Sequence, residues 1–319
     1  MKNPHFLKLL PLAILALTLV GTACAQSAAS QERVATDEST RRSVIDQASS
    51  YLFWNSSSSD YAPASPGDSD LGEQLLLTRK ERYKPFRIYA ELNEYWTNNA
   101  GLTQSNMLSD WLMVPQFGLN YTPQLTSNLF GDFSVRQQLF RYASNTQLNF
   151  NSTDMDAGLI YVVRQLGDLA VFGRYHFTLL TDPEMSTSTY NQQTMKFGVQ
   201  KPFILSRAHM VYVGSSAEVN IAGWPSYALK NNFDIFAGYQ ASLTRNINAS
   251  LYYRIALFNY TQGGRDDLNQ NIGMGLSWII NDWFSINTVA SFAFNSSNTQ
   301  NNSYWAFMAG SGVSGQIKF

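Results

Sequence analysis

Cysteine is nearly missing from this chain. Its one representative among 319 residues is Cys24. Nothing downstream of it can form a disulfide framework, a cysteine-ligated metal site or a thiol nucleophile. Histidine is scarce too, with only His5, His176 and His209. Charge is low: 14% of residues are charged, and 22 bases nearly cancel 23 acids, so bulk charge offers nucleic acid no attraction. After the N-terminal stretch no run approaches the ~18 apolar residues of a spanning helix. Gly-x-Ser-x-Gly and His-x-Ser arrangements are both missing, which leaves little support for a lipid hydrolase. Gly263-Gly264-Arg265 lacks the strand–helix context of a phosphate cradle. The spacing of the acids matches no calcium loop. The expectation is a non-enzymatic protein without metal or cofactor.

What the chain does contain is aromatic and uncharged polar residues. Aromatics reach 14%, with 17 Tyr and 20 Phe. Hydrophobic residues make up 45%, yet the mean hydropathy is −0.20. That balance suits strands with one apolar and one polar face.

The N-terminus reads as an address. Lys2 and Lys8 precede an apolar run from Leu9 to Val20, and Ala23-Cys24-Ala25 supplies a small-x-small cleavage pattern. Residues 1–25 are therefore expected to be a cleaved secretory signal peptide. Lipidation at Cys24 is the alternative, weakened by Gly21 where lipoprotein signals usually carry an aliphatic residue. Residues 26–83 form a polar lead, with serines from Ser56 to Ser59 and Pro63, Pro66 and Gly67 close together. Two short helices are conceivable there, one capped by Ser39 and one over Leu71 to Lys80.

From residue 84 to 319 the hydrophobic period is two. Phe86, Ile88, Ala90 and Leu92 alternate with Arg87, Tyr89, Glu91 and Asn93. Phe233, Ile235, Ala237 and Tyr239 alternate with Asp234, Phe236, Gly238 and Gln240. Similar runs recur to the end of the chain, making about twelve antiparallel strands, and an even count suits bacterial membrane barrels. A soluble sandwich also alternates, but many runs exceed the usual ~5–6 residues. Short connections such as 244–246 and 281–283 also take turns with longer polar ones such as 97–109, 143–153, 181–193 and 222–232. The expected fold is an all-β transmembrane barrel sealed against lipid. Pro115 removes a ladder donor inside that sheet, which calls for a bulge.

The last strand resembles the terminal signal of bacterial outer-membrane proteins. Val313, Ile317 and the final Phe319 share one face, with Gly312 and Gly315 nearby. The resemblance implies recognition by the barrel-assembly machinery. Trp96, Asn98 and Leu102, the pairs Arg141-Tyr142 and Arg174-Tyr175, and the run Gln200-Lys201-Pro202-Phe203 also resemble an uncharacterised, porin-like family of outer-membrane barrels. That resemblance covers most of 84–319 and carries no activity. Trp96, Trp111, Tyr121, Trp278, Trp283 and Trp305 fall near strand ends, where interfacial girdles belong.

With the large apolar residues facing outer-membrane lipid, the other phase faces inward. It nominates Arg87, Glu91, Arg136, Arg164, Arg174, His176, Arg254 and Lys318 as lumen or constriction candidates. Asp110, Asp154, Asp156, Glu218 and Asp234 would lie toward the outer mouth. Asp132 and Lys196 share this phase. Two readings follow. One is an acidic vestibule above a basic constriction, a narrow passive channel for small polar solutes. The other is a salt-bridged filling in a closed structural or surface-display barrel. His176 reads as a hydrogen-bonded wall residue rather than a catalyst.

Overall fold

The computed structural model describes residues 83–206 and 208–319. The expectations for the signal peptide, Cys24 and the short helices of the lead fall outside the described residues. Twelve strands follow in order: β1 (Phe86–Thr97), β2 (Asp110–Tyr121), β3 (Leu129–Tyr142), β4 (Phe150–Val163), β5 (Leu169–Thr181), β6 (Ser188–Ser206), β7 (His209–Trp224), β8 (Lys230–Ser242), β9 (Ile247–Tyr260), β10 (Asp266–Asn281), β11 (Phe284–Ser297) and β12 (Tyr304–Lys318). Each pairs antiparallel with its neighbours, and β1 pairs with β12 to close the barrel.

Closure is regular along the seam. Partners run without a shift from Arg87 opposite Lys318 to Thr97 opposite Met308. The ladder continues past the strand ends, where Phe86 and Phe319 exchange backbone hydrogen bonds of 3.0 and 3.1 Å. Their rings stack at 5.4 Å, and Phe86 also stacks on Tyr121 at 4.2 Å. The terminal phenylalanine thus belongs to an aromatic band at one end of the barrel, here the terminal end. The opposite end is the loop end.

Side chains alternate as the period of two requires. Ile88, Leu92, Phe117, Leu119, Phe197, Val219, Ile235, Leu251, Met274 and Ile317 are exposed on the outside. Asn93, Gln116, Asp132, Asp154, Thr194, Asp234, Arg254 and Asn271 are buried inside. Trp96 lies opposite Trp111 across the β1–β2 ladder near the loop end. The sheet is a soluble protein turned inside out, and only lipid gives the outer face an apolar environment.

Three details depart from the sequence reading. No bulge forms at Pro115. The β1–β2 register passes through Leu92 opposite Pro115 without a shift, and the β2–β3 ladder instead skips from Met113 to Gln116. The missing N–H becomes a gap in one ladder rather than an extra residue. The connections expected at 143–153, 181–193 and 222–232 are shorter than the alternation suggested, because strands run on into them. Between β5 and β6 only 182–187 is a turn. Asp182 closes it by accepting hydrogen bonds from the N–H groups of Ser186 and Thr187 and from the Ser186 hydroxyl. The Ser186 hydroxyl bond, then that of Thr187, holds the exposed Asp182 carboxyl below its ordinary pKa. Finally, the sequence pattern also implies a short connection at 201–207, but β6 extends through Pro202 to Ser206.

Inward aromatic rings lie flat on the wall, each across a glycine of the next strand. Tyr89 covers Gly118, Phe172 covers Gly198, Tyr212 covers Gly238 and Tyr252 covers Gly273. A Cβ on any of these glycines would fall within the ring above it. The Gly238→Ala variant should therefore lose about 1–3 kcal/mol through overpacking, measured by urea unfolding in lipid bilayers. The same change made in a Tyr212→Ala background should cost almost nothing.

Candidate pore interior

The interior divides into sectors. Toward the loop end, β1 to β6, β11, β12 and the β7–β8 connection contribute an apolar cluster that includes Tyr95, Leu112, Phe140, Leu180, Leu229 and Met308. Phe140 and Phe150 stack at 4.3 Å, and Phe140 and Leu180 have no exposed surface. The remaining sector at that end is polar. It presents Gln192, Lys230, Asn232, Asp267, Asn269 and Asn295. Lys230 sits 4.0 Å above the Phe258 ring, and Arg265 sits 4.2 Å above Tyr260 and pairs with Asp267. Lys230 begins β8, in a stretch that the sequence reading assigned to a loop, so its inward phase was not recognised.

The charged residues cluster on β3 to β9. Arg136 on β3 pairs with Asp154 on β4 at 3.1 Å. Arg174 on β5 lies 3.1 Å from Asp132 and 4.7 Å above the Phe172 ring. Arg254 on β9 lies 3.9 Å from Asp234 on β8, which also accepts the Ser216 hydroxyl. Glu218 accepts a hydrogen bond of 2.8 Å from Thr194. Acids and bases that the sequence reading set at different depths are thus brought together in pairs. The cost of holding charge against a low-dielectric wall is offset by partners on the next strand or, for Arg174 and Asp132, the next but one.

His176 joins this network. Its Nδ1 lies 2.9 Å from Asp156, and its Nε2 lies 2.9 Å from the Thr178 hydroxyl. That hydroxyl donates its only proton to Asp154 at 2.9 Å. Nε2 then faces a filled oxygen and Nδ1 faces a carboxylate, so both ring nitrogens are placed as donors. This is the hydrogen-bonding pattern of an imidazolium. Ser134 completes the chain by donating to Asp156 at 3.0 Å.

Other nominated residues lie elsewhere. Arg164 does not line the bore. β4 ends at Val163, and Arg164 begins a single exposed turn closed by Gly167 in the left-handed conformation. Its guanidinium donates to the carbonyl of Ser127 at 2.7 Å, tying together two turns at the terminal end. Lys318 is exposed at the rim, opposite Arg87 in the ladder, and Arg87 lies 4.9 Å from the Tyr89 ring. Asp110 is structural. It accepts hydrogen bonds from the N–H groups of Trp111, Ser144 and Asn145 and from the Asn145 side chain, fixing the β3–β4 connection. Val313, Ile317 and Phe319 point outward, with Val313 opposite Leu92 and Ile286.

Several inward amide oxygens have no hydrogen-bond partner among the described residues. Gln240 and Gln316 lie toward the terminal end, and Gln138 and Asn232 toward the loop end. Dry burial of such groups costs about 1–3 kcal/mol each, so these oxygens call for a water partner toward each end of the interior.

Among solved structures the barrel is similar to an outer-membrane channel from Pseudomonas putida F1, with a TM-score of 0.51 at 9% identity, over 74% of this chain and 97% of that one. It also aligns with a bacterial polysaccharide outer-membrane secretin, with a TM-score of 0.45 at 10% identity over 74% of this chain and 100% of that one. An anion-selective porin from Comamonas acidovorans aligns with a TM-score of 0.37 at 7% identity, again over 74% and 100%. The first of these likenesses shows the fold, a closed antiparallel β-barrel of the kind that outer-membrane channel has. No family model matches the sequence, and no curated protein matches it.

The Arg136–Asp154 pair offers a direct test of the network. Asp154→Asn and Arg136→Met should each cost about 1–3 kcal/mol in urea unfolding by removing one partner of a buried, charge-assisted hydrogen bond. The double variant should cost clearly less than the sum of the two, as a coupled pair requires.

Proposed function

We propose that the protein is a narrow passive channel of the bacterial outer membrane, admitting small polar solutes. The observation that carries this reading is the polar interior of a closed barrel, with unpaired amide oxygens toward both its terminal and its loop end. Together with the charged β3–β9 wall, they favour a continuous thread of water. Twelve strands fall between the eight that side chains fill and the ~16–18 of open porins. Residues 1–25 would serve as the export signal, and the β12 end, with Val313, Ile317 and Phe319, as the mark read by the barrel-assembly machinery. The start of β1 and the end of β12 then lie on the periplasmic side, and the polar loops face outward.

A second reading, a closed barrel that anchors or displays its loops, draws support from the apolar cluster around Phe140 and Leu180. Planar-bilayer recording on the purified full chain separates the two. The channel reading expects discrete conductance steps that change in Arg136→Ala/Arg254→Ala. Silence from both wild type and variant would favour the closed barrel.

A further inference from the structure

A crevice of about 290 Å³ opens on the outer face at the loop end, where β10, β11 and β12 meet the β1–β2 connection, residues 98–109. Its volume is close to the ~300 Å³ of the smaller ligand sites. Strand parity builds its floor. Leu268 and Gln270 on β10, Phe294 and Ser296 on β11 and Trp305 on β12 share the outward phase, with Leu268 opposite Ser296 and Phe294 opposite Trp305. Asn99 builds the overhang. Its Nδ2 donates to the carbonyls of Trp305 at 2.9 Å and Thr103 at 2.8 Å, and its Oδ1 accepts the Thr103 N–H at 3.0 Å. Gln104, next in the chain, is thereby set against the β12 wall. The lining carries no charged side chain. It combines ring and aliphatic surface with amides and hydroxyls. Gln270 accepts the Tyr253 hydroxyl at 2.8 Å, which leaves its amide N–H groups without a partner among the described residues. The side chains of Gln104 and Ser296 are likewise uncommitted there. Below the crevice the rings continue down the lipid-facing wall. Phe294 stacks on Phe292 at 6.3 Å, and Phe292 meets Phe307 at 4.7 Å.

We propose that this crevice holds the sugar headgroup of an outer-leaflet glycolipid, with an acyl chain laid along the lane of Phe292 and Phe307. The lane is continuous with the lipid-facing wall, so an occupant with acyl chains reaches the crevice without leaving the membrane. Trp305 and Phe294 give ring surface to the apolar face of a pyranose. Gln104, Gln270 and Ser296 match its hydroxyls, which both donate and accept. A phosphate headgroup finds no cation among the lining residues, and so lacks the charge-assisted bonds that would hold it. The site lies outside the barrel and goes beyond the channel reading. It takes from that reading only the loop end as the outer side.

The test uses the full chain in phosphatidylcholine nanodiscs doped with a neutral digalactosyl diacylglycerol, brominated on the chain carbons near its headgroup. Phosphatidylglycerol with the same brominated chains is the comparison. Bromine quenches nearby indole fluorescence, and the difference between wild type and Trp305→Phe isolates the signal of Trp305. The apparent affinity for the glycolipid should exceed that for phosphatidylglycerol by about fivefold, the worth of one net hydrogen bond. Gln104→Ala/Gln270→Ala/Ser296→Ala should bring the two lipids level, with heat-modifiable gel mobility showing that the variant is folded. Equal quenching of Trp305 by both lipids in wild type overturns the proposal, and so does a preference that survives in the folded triple variant. Displacement by free maltose at the concentration of the glycolipid would overturn the glycolipid as occupant. A nanodisc has no inner or outer side and the readout involves no conductance, so a failure here leaves the orientation and the channel reading standing.

Discussion

The structure depends on backbone hydrogen bonds that leave no edge. A strand in hydrocarbon with open N–H and C=O groups loses several kcal/mol for each one left without a partner. Pairing β1 with β12 removes the last open edge, and it does so over the whole length of β1. Once the ladder is closed, every residue has one of two addresses, lipid or interior, and the period of two assigns them in strict turn. The exposed Phe, Leu, Ile and Trp side chains and the buried Asn, Gln, Asp and Arg side chains are two consequences of the same closure.

The interior is neither a dry core nor an empty tube. Its largest apolar cluster lies toward the loop end around Phe140, and smaller ones form around Phe130 and Ile160 toward the terminal end and around Phe258 on β9. Elsewhere charge is managed by adjacency. Arg136 reaches Asp154 on the next strand, Arg174 reaches Asp132, and His176 reaches Asp156. Each pair bridges neighbouring or nearby strands, so the network braces the wall from within while keeping a polar surface toward the bore.

Strand number, the phase of each strand and the final Phe319 were legible in the sequence, because alternation is a local property. Which charge meets which was not. Arg136 and Asp154 are 18 residues apart, and only the ladder register places them side by side. Arg164 looked inward because its parity matched β4 up to Val163, but the chain had already turned. Asp110 had the inward parity too, and its role as a loop clamp depends on Asn145, far along the chain. The apolar cluster was hidden for a different reason: Phe140, Phe150 and Leu180 carry inward parity with side chains that usually signal the lipid face.

The rings that lie across glycines have a consequence for how such a chain reaches its final arrangement. Tyr89 and Gly118 belong to one hairpin, as do Phe172 and Gly198, Tyr212 and Gly238, and Tyr252 and Gly273. A slip of one residue would turn the ring out of the wall and set a bulky neighbour where only a hydrogen fits. Each of these hairpins therefore carries its own proofreading mark, legible before any other strand has arrived. Alignment errors are rejected pair by pair, and the barrel does not have to be finished before a mistake is felt.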